Sequence, residues 1–166
     1  MIAAEKKEGL VDWEKRVKGG SLYADGSAVI RPAEMEWNDG PIEGLRFKVT
    51  FADPNTGDWT AQIRLEADQI FPAHVNHAEV HYMILEGELH TEVGVLKADN
   101  YMRDPGGFVP ERQTGPEGLT CFVKFLGGIS AADANGKSVG PVVDALRVRE
   151  MAEQNGLGDV LFVPIR

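Results

Sequence analysis

Alternation of apolar and polar residues is the most legible pattern in this chain. Over residues 45–51, Leu-Arg-Phe-Lys-Val-Thr-Phe puts an apolar side chain at every second position. After the turn formers Asp53-Pro54-Asn55-Thr56-Gly57, the residues Trp59, Ala61, Ile63 and Leu65 resume the alternation. A period of two places alternate side chains on one face of a pleated strand, so this segment predicts a β-hairpin with one buried face. Further strands are predicted at 82–85, 89–96, 101–103 and 119–126, separated by Glu86-Gly87, Ala98-Asp99-Asn100, Pro105-Gly106-Gly107 and Gly115-Pro116-Glu117-Gly118.

Helical spacing occurs at both ends. Residues 5–18 place Leu10, Trp13 and Val17 on one side and stop at Gly19-Gly20. A polar stretch after Gly127-Gly128 leads into a second helix over 142–154, ended by Asn155-Gly156. Residues 160–165 read as a last strand, placed at a sheet edge by Pro164. The pattern predicts an all-β sandwich or barrel with a short N-terminal helix and a C-terminal helix.

Composition narrows the partners. With 166 residues, 43% hydrophobic and 26% charged, the chain reads as one domain over 1–166, with a barrel core at about 42–128 and a C-terminal extension at 129–166. A net charge of -9 and no run of Lys or Arg beyond two argue against nucleic acid and anionic membranes as partners, which leaves small molecules and proteins. No apolar run approaches the roughly 20 residues that span a bilayer, and the N-terminus lacks the apolar stretch of a secretory signal, so a cytoplasmic protein is expected. Cys121 is the only cysteine, which rules out an intrachain disulfide, and its strand context makes it a small core residue.

Candidate chemistry is concentrated in one window. All four histidines lie between His74 and His90, three of them in His74-Val75-Asn76-His77-Ala78-Glu79-Val80-His81. Imidazoles on a strand and its adjoining turn can converge on one first-row metal ion.

These residues carry a family resemblance. Gly87 in Leu85-Glu86-Gly87-Glu88-Leu89 resembles the hairpin turn of the first cupin motif, with His74 at the place of its first histidine. The stretch Tyr101-Met102-Arg103-Asp104-Pro105-Gly106-Gly107-Phe108-Val109-Pro110 resembles the second motif. Together they resemble the cupin (RmlC-like) superfamily over about residues 45–126, nearest to acetylacetone-cleaving and dihydroxyacetophenone dioxygenases and to the cupin half of ChrR-type anti-sigma factors. The resemblance implies a double-stranded β-helix, a jelly-roll-like barrel, and a divalent metal in its mouth: Fe(II) for an oxygenase, zinc or nickel for a lyase or isomerase. The chain departs from the pattern at three of four ligand positions, where Asn76, Val80 and Pro110 stand.

Two structural accounts follow. In one, an extra loop residue brings His77, and a bulge brings His81, beside His74 and Asn76 as metal ligands, with Glu79 nearby. In the other, the register is ordinary, Val80, Tyr82 and Ile84 line the barrel, and His81, Met83 and Leu85 face away. His90, whose parity matches Glu88 and Glu92, is a further candidate ligand. Tyr82 and Glu79 are candidate proton carriers. Arg64, Arg103, Asp104, Glu111 and Gln113 are candidates for binding substrate, the arginines through forked hydrogen bonds to a carboxylate or enolate.

Two functions of different class compete. The first is a metal-dependent enzyme, an oxygen-dependent carbon–carbon cleaving dioxygenase acting on a small dicarbonyl or hydroxyketone. The second is a non-catalytic module that holds a small molecule in a degenerate site. By family analogy either is a homodimer, with the N-terminal segment or the final edge strand as contact.

Overall fold

The alternating segments form the hairpin their pattern predicts. The computed structural model describes residues 14–154 together with Val163, Ile165 and Arg166. Its first strands are β1 (Glu14–Val17), β2 (Gly20–Tyr23), β3 (Ala28–Ile30), β4 (Asn38–Asp39), β5 (Leu45–Ala52), β6 (Trp59–Leu65), β7 (Ile70–Phe71) and β8 (His74–Asn76). They continue as β9 (Val80–Thr91), β10 (Gly94–Lys97), β11 (Tyr101–Asp104), β12 (Gly107–Val109), β13 (Arg112–Phe125), β14 (Ile129–Ala132) and β15 (Ser138–Val143), ahead of helix α1 (Ala145–Glu153).

The largest sheet runs β10-β9-β13-β6-β5-β4, with β11 added beside β9 and β7 beside β13. A second sheet runs β12-β8-β14-β15, and β1-β2-β3 form a third; among the described residues these do not join into one closed sheet. Pairing is antiparallel throughout. The all-β expectation holds.

One continuous core explains the alternation. Val49, Trp59, Ala61, Val80, Tyr82, Ile84, Cys121, Val123 and Phe125 belong to a single buried cluster. Ile84 is fully buried, and removing such a side chain from water contributes about 1.5–3 kcal/mol. Trp59 stacks on Phe125 with ring centroids 3.8 Å apart, and its indole N–H donates to the Gly127 carbonyl at 2.9 Å. Helix α1 starts where the Asp144 side chain accepts from the Arg147 backbone N–H at 2.9 Å, and it buries Ala145, Val148 and Ala152.

The structure corrects three sequence expectations. Gly87 does not turn a hairpin: β9 runs through it, with a φ of 77°, and the reversal comes at Glu92-Val93. Gly115 to Gly118 likewise lies inside β13, opposite Gly87, where the register between the two strands shifts. A Cβ on Gly87 would stand 2.0 Å from the Gly118 carbonyl oxygen, so glycine permits two long strands to kink together. The kink also changes parity, since Val80, Tyr82 and Ile84 point inward before it and Leu89 after it.

The second correction concerns the predicted N-terminal helix: residues 14–17 pair with β2 as a strand, and the remainder, including Leu10 and Trp13, lies outside the described residues. Third, part of the polar stretch after Gly128 forms the β14–β15 hairpin, which joins the second sheet through β8. The predicted C-terminal helix is present as α1. The predicted last strand falls mostly outside the described residues, although the Val163 N–H donates to the Ala52 carbonyl at 3.3 Å. No helix among the described residues is long and apolar enough to cross a membrane.

Candidate ligand site

Strand β8 presents His74 and Asn76 on one buried face, with Val75 between them on the other. The face follows from the period of two. The His74 ring sits edge-on to Phe71, centroids 4.9 Å apart, and its Nδ1 lies 3.1 Å from the Pro72 carbonyl oxygen. A carbonyl only accepts, so Nδ1 carries the proton and Nε2 keeps its lone pair. Burial lowers the pKa of His74, which favours the neutral ring at pH 7. Asn76 is 2% exposed, and its Oδ1 is buried with no hydrogen-bond partner.

Beside these lies an ion cluster centred on Arg112, in which Arg112 and Asp104 are buried and Glu92 is exposed. Its Nη1 donates to Asp104 Oδ2 at 2.7 Å and to the Tyr82 hydroxyl at 2.9 Å. Nη2 donates to Asp104 Oδ1 at 2.9 Å and to Glu92 Oε1 at 2.7 Å, while Nε donates to Glu92 Oε2 at 3.1 Å. A guanidinium has five N–H groups, and all five are used in two carboxylate forks and one phenol contact. The Tyr82 hydroxyl in turn donates to Met102 Sδ at 3.0 Å.

Each titration follows from this geometry. Burial works against the Arg112 charge, but the bonds to Asp104 and Glu92 outweigh it and raise the pKa. The bond from Arg112 holds Glu92 below the ordinary carboxylate range. Burial raises Tyr82, which makes its proton harder to remove and opposes service as a proton carrier. Two carboxylates against one guanidinium and a neutral imidazole leave the cluster with one net negative charge.

The remaining sequence candidates separate from this centre. The ordinary register holds: Val80, Tyr82 and Ile84 are buried, while Met83 and Leu85 are exposed. His81 is on the outer face, between the Tyr101 hydroxyl and Glu79, and Glu79 also receives Arg103 at 2.5 Å. Arg103 and then His81 hold the Glu79 carboxyl down at about 2, so it is a weak base at neutral pH. His77 lies in the bend after β8 and is exposed, with its Nε2 2.9 Å from Ser130 Oγ on β14 of the second sheet. His90 is exposed and pairs with Glu88 at 3.2 Å. Arg64 lies over the Trp37 ring, 4.4 Å from its centroid. Glu111 and Gln113 are exposed on either side of buried Arg112. Asp104 alone among the candidate substrate-binding residues is buried next to His74, and both its oxygens are taken by Arg112.

The donors present do not fit a divalent metal. Of the four positions where ligands are expected, His74 and Asn76 carry donor side chains and Val80 and Pro110 carry none. The two nearby carboxylates are already engaged by a cation. Among the described residues, no three His, Cys, Asp or Glu side chains gather so as to hold a metal ion.

Sequence reasoning missed Arg112 and the role of Glu92. The available signal was parity: Arg112 is two residues past Pro110, and a period of two carries it to the same face, whereas Glu111 and Gln113 fall on the other.

Comparison with known proteins places the fold. The family described as the ChrR cupin-like domain matches residues 25–127. No curated protein matches the chain. Among solved structures, a candidate acetylacetone dioxygenase from Methylibium petroleiphilum is similar, with a TM-score of 0.67 and 19% identity over 74% of this chain and 92% of that one. An acetylacetone dioxygenase from Acinetobacter johnsonii gives a TM-score of 0.61 and 19% identity over 69% and 83%. The anti-sigma ChrR of Rhodobacter sphaeroides, solved in complex with SigE, gives 0.50 and 13% identity over 57% and 51%. At these identities the likeness extends to the fold alone.

Proposed function

The chain belongs to the ChrR cupin-like domain family, and on that premise we propose that it is a binding module that holds a small molecule at His74 and Asn76 without a metal ion and without turnover. The observation that carries this reading is the saturated Arg112 cluster. A guanidinium whose five donors are spent on Asp104, Glu92 and Tyr82 supplies positive charge to the site and keeps both carboxylates from a second cation. Tyr82, raised by burial, and Glu79, on the outer face, are also poorly placed to act as the proton carriers of such a reaction at neutral pH.

The competing reading is the metal-dependent dioxygenase, with Fe(II), or zinc or nickel for other chemistry. It is favoured by one feature, the Nε2 lone pair that the Pro72 contact presents on His74. Metal content by plasma mass spectrometry decides between them, on protein purified without chelator and after anaerobic loading with iron, zinc and nickel. The binding-module reading predicts substoichiometric metal in every preparation. One equivalent of metal that disappears in His74→Ala overturns it.

The reading includes a homodimer in the cytoplasm. Tyr101, Met83 and Phe122 are neighbours across β11, β9 and β13 and are exposed, giving an apolar row suited to a second copy. Sedimentation of Met83→Lys against the parent tests this, with a shift to monomer expected.

A further inference from the structure

The inner site is unbalanced in a way that selects its ligand. Asn76 Oδ1 is buried without a partner, and His74 Nε2 holds a lone pair on the same face of β8. A buried acceptor left unpaired destabilises the site, and an incoming donor removes that cost. Nothing in the Arg112 cluster offsets this. Every guanidinium proton is committed to Asp104, Glu92 or Tyr82, and the Tyr82 proton goes to Met102. The cluster also has no spare positive charge to attract an anion, because Asp104 and Glu92 neutralise Arg112.

Resting on the binding-module reading above, we propose that the site takes a small ligand that presents N–H or O–H donors to His74 Nε2 and Asn76 Oδ1 and carries no negative charge. Neutral amides, amidines and polyhydroxylated compounds fit this chemistry, whereas carboxylates and the enolates of β-dicarbonyls do not. The preference is opposite to that of a site built around a free arginine fork, because this arginine is internally saturated. It is also opposite to that of a metal site, which draws oxygen anions.

Three probes of one shape separate the possibilities: acetamidinium, acetamide and acetate share a planar four-atom frame and differ in charge and in donors. The readout is the nitrogen-15 resonances of the His74 ring and the Asn76 side-chain amide in the intact, metal-analysed protein. Acetamidinium and acetamide are expected to shift both, acetamidinium at the lower concentration, and acetate neither. Asn76→Ala should weaken the acetamide response about tenfold, the equivalent of about 1.4 kcal/mol. The rest of its spectrum reports whether that variant is folded, and His74→Gln in the same assay supplies an independent loss. Acetate shifting the two residues as strongly as acetamide, or none of the three probes shifting them, overturns the proposal. Stoichiometric metal in the same sample overturns the binding-module reading itself, whereas metal-free protein that prefers acetate overturns the ligand class alone.

Discussion

Replacing Arg112 by methionine isolates the cluster on which the functional reading depends. The change keeps the aliphatic stem, which packs beside Tyr82, and removes the charge and all five donors. Asp104, whose side chain is 7% exposed, is then left buried without its cation, and Tyr82 loses the donor to its oxygen. Glu92 is 42% exposed and turns to water at small cost. Breaking a buried pair by removing one partner costs about 3–5 kcal/mol, and because only one of the two carboxylates is stranded the lower end, about 3 kcal/mol, is expected. For a domain of this size each kcal/mol moves the melting temperature by about 2–4 °C, which gives a fall of about 6–12 °C. Urea unfolding followed by tryptophan fluorescence measures it, with thermal melts alongside. Adding Asp104→Leu to Arg112→Met should return most of the loss, since an apolar pair of similar volume replaces an ion pair with little net change. A loss below about 1 kcal/mol in Arg112→Met, or a double variant as unstable as the sum of the singles, refutes a cluster that depends on mutual neutralisation.

Three further outcomes are expected from the same structure. Cys121 is buried and its thiol is pushed up to about 12 by burial, so a thiol reagent should leave it untouched in the native protein and react only on unfolding. His74 is lowered from 6.5 by burial and Glu92 from 4.5 by the Arg112 bond, so both bind protons more readily when unfolded. Their contribution is therefore present above those values and lost as pH falls through the folded pKa of each; melts against pH should decline first below about 6.5, a step that His74→Gln flattens, and a stability that rose on acidification would contradict the assignment. Asn76→Leu removes a buried amide oxygen that has no partner, at similar volume, so denaturant unfolding should show a protein unchanged or about 1 kcal/mol more stable.

The sequence made the sheet faces legible and left the site's charge balance hidden. Alternation from Leu45 to Leu65 needs only local information, because one buried face imposes the period directly. Gly87 and the Gly115–Gly118 stretch misled for a physical reason: a glycine with positive φ serves equally a hairpin turn or a kink in a long strand, and only the opposing strand distinguishes them. The histidine window suggested convergence, yet His74, His77 and His81 face the interior, the second sheet and the outer surface in turn. That divergence follows from strand parity and the break between β8 and β9. Arg112 was invisible because an arginine is normally exposed, and its burial becomes affordable only when Asp104 on β11 and Glu92 in the turn after β9 both meet it, which the linear pattern does not show.

The central claim is that a saturated guanidinium stands in this site in place of a divalent metal. The most direct test is a Co(II) titration of the nitrogen-15-labelled protein, read as paramagnetic broadening of the His74 ring and the Arg112 Nε–H. Both signals should persist, with broadening confined to exposed groups such as His90. Selective, saturable loss of the His74 and Arg112 signals at one equivalent of cobalt would show that a metal displaces the cluster, and the account would fail.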